Sequence, residues 1–133
     1  MANLAADIDD RLRALERELE QLAADRQRYA DLFAFSPEAS VVTDAHGTIL
    51  DANAAAEALL QGGGRLRGQA LDAFIAMEQR RVFFALVSAA VEGEGRGRFP
   101  AKLRLAGGDV AVEVSLRAMR RARGPLRIVW VLR

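Results

Sequence analysis

The 133 residues suffice for one domain with an appendage, and a hydrophobic fraction of 51% is enough to fill a core. A formal net charge of +1 gives no bulk field to attract nucleic acid or an anionic membrane, so such a partner would need a local patch. Without cysteine the chain cannot form disulfides, thiolate zinc sites, c-type haem links or thiol adducts.

Met1 to Asp10 carries acids where a signal peptide has a basic region, and no apolar run approaches the ~18 residues of a membrane span. A soluble, cytoplasmic protein with no membrane partner is expected. The first element is charged, free of Gly and Pro from Ala5 to Tyr29, and apolar at heptad spacing. Ala5, Leu12 and Leu19 take position a, and Ile8, Leu15, Leu22 and Tyr29 take position d; Arg26 interrupts the a series. In a parallel pair Arg11 at g faces Glu16 at e of the second helix, and Arg26 costs stability while helping to fix register. The stripe is expected to form a parallel homodimer, the alternative being that it folds back on its own domain, because a lone helix of this length is marginal.

Proline disfavours helix at the residue before it, so Phe35-Ser36-Pro37-Glu38 ends the pattern. We place an N-terminal helix at 1–31 and a globular domain at 32–133. Ser40–Thr43 and Thr48–Ala52 flank the turn Asp44-Ala45-His46-Gly47 and read as a hairpin. Asn53 then caps a short helix over Ala54–Leu60, which Gly62-Gly63-Gly64 stops and follows with a flexible connection. Leu66–Ile75 is irregular, with apolar anchors at Leu71, Phe74 and Ile75. The spacing of Phe83, Leu86, Val87, Ala90 and Val91 predicts a longer helix over Met77–Val91, lying across a sheet.

The rest alternates as half-buried strands do. Phe99, Ala101, Leu103 and Leu105 form one series, with Pro100 marking an edge or a strand start. Val110, Val112, Val114 and Leu116 follow the turn Ala106-Gly107-Gly108-Asp109, and Leu126, Ile128, Trp130 and Leu132 close the chain. Five strands with helices on one side make an α+β domain.

In this order the elements resemble a PAS domain, a five-stranded antiparallel sheet covered on one face by helices, over Leu32 to Arg133. The resemblance is carried by Ser36-Pro37, Asp44-x-x-Gly47-x-Ile49 with Asn53, Leu59, Arg67-Gly68 with Leu71, the long helix, the Gly107-Gly108-Asp109 turn and Ile128 to Arg133. It implies a sensory or dimerisation module, either part of a histidine kinase or transcriptional regulator or a short stand-alone protein. Relatives that form cysteinyl-flavin or hydroxycinnamate adducts need a cysteine this chain lacks, and haem-binding relatives use a histidine on or near the long helix, where there is none. His46, the one histidine, falls in a turn and reads as an exposed polar residue.

No serine has a glycine-framed elbow, no carboxylates pair, and the triple glycine follows a helix rather than opening one, so catalysis is not expected. Any pocket lies between the long helix and the sheet, bounded by some of Phe74, Phe83, Val87, Leu103, Val112, Val114 and Trp130. The same residues can equally fill the core. No cofactor is predicted; a flavin held without a covalent bond, stacked on Trp130, or a small apolar ligand are the forms the lining would suit. Arg117, Arg120, Arg121, Arg123 and Arg127 form the one dense basic cluster, read as a solvated hairpin first and as a nucleic-acid or acidic-partner site second. The expected function is a signalling module whose ligand or protein partner shifts helix packing, the alternative being a ligand-free dimerisation adapter.

Overall fold

The computed structural model describes residues 2–93, 95–120 and 124–133. The chain divides into two units, Met1–Phe33 and Ala34–Arg133. The first is formed by a single helix, α1 (Ala2–Phe35), whose last two residues, Ala34 and Phe35, belong to the second unit. It is longer at both ends than the heptad pattern alone required, because Ala2-Asn3-Leu4 and Ala30–Phe35 contain no Gly or Pro to stop it. Among the described residues no helix is long and apolar enough to cross a membrane.

The second unit contains β1 (Ala39–Thr43), β2 (Ile49–Ala52), α2 (Ala54–Leu59), α3 (Arg80–Glu92), β3 (Arg96–Leu105), β4 (Gly108–Met119) and β5 (Arg127–Leu132). Its sheet is antiparallel in the order β2-β1-β5-β4-β3, so the last strand lies in the centre, between the first and the fourth. Strand period puts Ala39, Val41, Thr43, Phe99, Ala101, Leu103, Val112, Val114, Leu116, Ile128, Trp130 and Leu132 on the inner face, where all are buried. From α3, Phe83, Val87 and Ala90 meet them at helical spacing.

Three local expectations are refined. The start of the long helix is a 3-10 turn, Met77–Gln79, and regular α-helix begins at Arg80. The turn between β3 and β4 is only Ala106-Gly107, because Leu105 pairs with Gly108, whose φ of +121° suits a residue without a side chain. The glycine run after α2 is tied down: Glu57 accepts hydrogen bonds from the Gly64 amide (2.8 Å) and the Leu66 amide (3.3 Å). A side chain at Gly62 would collide with that carboxylate and with Leu66, so glycine is needed there for space.

β3 is an edge strand, and its exposed rim is covered. The Ala76 amide donates to the Lys102 carbonyl (2.9 Å), and the Gln79 side-chain oxygen accepts from the Lys102 amide (2.6 Å). Pro100 sits two residues away with no amide to offer.

Candidate functional site

The predicted pocket residues come together, but on each other. Phe83, Leu103, Val114 and Trp130 are fully buried, Val87 and Val112 nearly so, and Phe74 packs at the margin, partly buried. The Phe83 and Trp130 rings stack with centroids 4.8 Å apart and planes 12° from parallel. That stack lies between α3 and the sheet, with Phe83 covering one face of the Trp130 ring. Phe84 meets the edge of Phe83 (5.2 Å, 85°) and is itself 45% exposed.

Thr43 completes this centre and has no place in the predicted lining. Its Oγ1 accepts a hydrogen bond from Trp130 Nε1 (2.8 Å) and donates to the Asp44 carbonyl (2.9 Å). The available signal was parity, since Thr43 shares the inward side of β1 with Ala39 and Val41. Above it, Asp44 accepts from the amides of His46 (2.9 Å) and Thr48 (3.0 Å), closing the hairpin and leaving His46 exposed. Gly47, at φ +88°, brings this turn against the Phe83 ring.

Asn53 does more than cap. Its Oδ1 accepts from the Ala56 amide (2.9 Å) and also from the Ser40 amide (3.0 Å), while Nδ2 donates to the Glu38 carbonyl (2.8 Å). One buried side chain therefore fixes the start of α2 to the start of β1. Asn53→Ala is expected to cost about 2–3 kcal/mol, above the ~1 kcal/mol of an ordinary cap, because it also strands the buried Ser40 amide of β1 and the part-buried Glu38 carbonyl just before it. Chemical denaturation checks this: a loss under about 1 kcal/mol would mean that the strand contacts contribute nothing.

Among the described residues the buried polar side chains are Ser40, Thr43 and Asn53, and none is charged. A charged ligand in the core would find no counter-charge there. A surface groove lies between α2 and the β4–β5 end of the sheet, lined by Pro37, Ala39, Leu59, Val110 and Leu132.

The basic cluster is regrouped by strand pairing. Arg96 of β3 lies directly opposite Arg117, with Arg98 two residues along and Arg127 on β5, all on the sheet face away from the helices. Arg98 pairs with Glu113 (3.2 Å), and Arg120 donates to the Val91 carbonyl at the end of α3. Arg121 and Arg123 lie outside the described residues. Arg96 and Arg98 were not legible as members, since only the register brings β3 beside Arg117.

The proposed dimer residues Ala5, Ile8, Leu12, Leu15, Leu19, Leu22 and Tyr29 all lie on α1 and are exposed in the single chain. Each of the six larger ones is at least half exposed.

A five-stranded antiparallel sheet in the order 2-1-5-4-3 with helices on one face defines an α+β domain of the PAS kind. The family model for the PAS fold matches residues 33–133, and the chain belongs to that family. Among solved structures, it is similar to the PAS domain of an HTR-like protein from Haloarcula marismortui, at 25% identity over 89% of this chain and 98% of that one (TM-score 0.73). It is also similar to a PAS domain from Colwellia psychrerythraea, at 21% identity over 80% and 93% of the two chains (TM-score 0.72). A third similar structure is a domain of a sensory box sensor histidine kinase/response regulator from Geobacter sulfurreducens, at 19% identity over 84% and 96% (TM-score 0.68). Comparison with curated protein sequences returns no match.

Proposed function

We propose that the chain is a sensory and signalling module of the PAS type that homodimerises through α1 and takes its input from protein association rather than from a ligand in its core. The observation that carries this reading is the Phe83–Trp130 stack locked by Thr43, which leaves the helix–sheet interior filled by the protein's own rings. A flavin or a small apolar ligand would have to displace one of those rings, giving up most of the burial of a large side chain. Membership of the family, together with the sensor histidine kinase named for one similar structure, supports the signalling role.

In such a module a signal moves an equilibrium between two helix packings by its differential affinity for them, so a protein partner that prefers one packing is a sufficient input. Native mass spectrometry of the purified chain tests this. A dimer at twice the sequence mass is expected. A dimer carrying a reproducible added mass that is lost on denaturation would replace the association reading with a ligand-fed one, and a monomer would remove the dimer.

A further inference from the structure

The geometry points to Asp25 and Arg26 as the layer that makes the second copy of α1 pair parallel and in register; this deepens the dimer reading above and rests on it. The seam has four full heptads and opens a fifth, since Phe33 falls at the next a position after Arg26. In a parallel pair, the knob of an a residue enters a hole that includes the preceding g residue of the facing helix. For Arg26 that residue is Asp25 of the second copy, so two Arg26–Asp25 contacts flank the layer and offset the repulsion between the two Arg26 side chains.

Asp25 is placed to do this. Within its own helix it receives Gln21 Nε2 (3.0 Å) and Arg28 Nη1 (3.9 Å), both on Oδ1, and among the described residues Oδ2 takes no hydrogen bond. Arg11 at g and Glu16 at e add two further attractive contacts in the parallel arrangement.

The antiparallel arrangement is the competitor, and the apolar pattern alone permits it. Leu12 would face Leu22, Leu19 would face Leu15, and Arg26 would face Ile8. Charge decides against it: Glu16 then meets Glu16 and Glu18 meets Glu18 across the axis, leaving Arg11–Asp25 as the compensation between flanking positions.

The chain has no native cysteine, so single cysteines report pairing without background. Under mild oxidation, Leu22→Cys alone is expected to cross-link to itself. The antiparallel result, in which Leu22→Cys stays uncross-linked while a mixture of Leu12→Cys and Leu22→Cys chains joins, would overturn the orientation. Asp25→Lys and Arg26→Glu are each expected to weaken the dimer about tenfold by sedimentation equilibrium, and the double variant to be about tenfold tighter than either single one. If the parent is a dimer and the double variant is no tighter than the weaker single one, the layer is refuted and the dimer stands. A monomeric parent refutes both.

Discussion

Trp130→Ala is expected to remove about 3–5 kcal/mol from the stability of the PAS domain, a large part of the ~5–15 kcal/mol that holds a domain of this size together. The side chain is fully buried, its ring lies flat on Phe83, and its indole nitrogen donates to Thr43. Truncation gives up the transfer free energy of the ring, leaves a void between α3 and β5, and removes the donor that Thr43 accepts from. The melting temperature followed by circular dichroism is expected to fall by roughly 12–40 °C, at about 4–8 °C per kcal/mol for a domain of this length. Indole added in solution is expected to recover part of the loss, because an apolar void of ring size binds a matching apolar solute and binding to the native state alone stabilises it. A fall of only a few degrees with no response to indole would mean that the interior tolerates the missing ring, and the filled-core argument for association as the input would fail with it.

The second large effect belongs to α1. Replacing Leu15 and Leu22 together with glutamate puts four charges into adjacent d layers of a dimer, each of which would have to be buried without a partner. Dimerisation is expected to weaken by more than about a thousandfold, to below detection at micromolar protein. The far-ultraviolet helix signal is expected to fall as well, since α1 has 34 residues against 6 in α2 and 13 in α3, and a lone helix is marginal without a partner for its stripe. Melting of the globular unit should be unchanged, because among the described residues its inner core begins at Ala39. A variant that remains dimeric in analytical ultracentrifugation would place the interface off the heptad seam altogether.

Patterns that depend on local chemistry were legible in the sequence. Alternation placed the last three strands to within a few residues, the turn chemistry between them placed the first two as a hairpin, heptad spacing and the Ser36-Pro37 break placed α1, and Asp44 and Asn53 announced a turn and a cap by residue type. What the sequence could not decide was distance across the sheet. Parity says that Phe83 and Trp130 both face inward, but whether they enclose a space or touch depends on how far α3 sits from β5, and no residue pattern encodes that separation. The same limit hid Thr43 as a partner of Trp130, Gln79 as the cover of the β3 rim, and Arg96 and Arg98 as neighbours of Arg117. Each of these is a meeting of segments remote in the chain, visible only once strand register is known.

The position of β5 also sets when this domain can fold during synthesis. β1 hydrogen-bonds to β2, its neighbour in sequence, on one side and to β5 on the other, so the first strand must wait with one side open until the fifth has left the ribosome. The Trp130–Thr43 bond spans 87 residues, a closure that slows folding and leaves the β3–β4 hairpin with unpaired amides on β4 in the meantime. A nascent chain released before Arg127 would hold two separate sheet fragments, each with an open flank and an uncovered apolar face, and would be a substrate for chaperones rather than a partly active sensor.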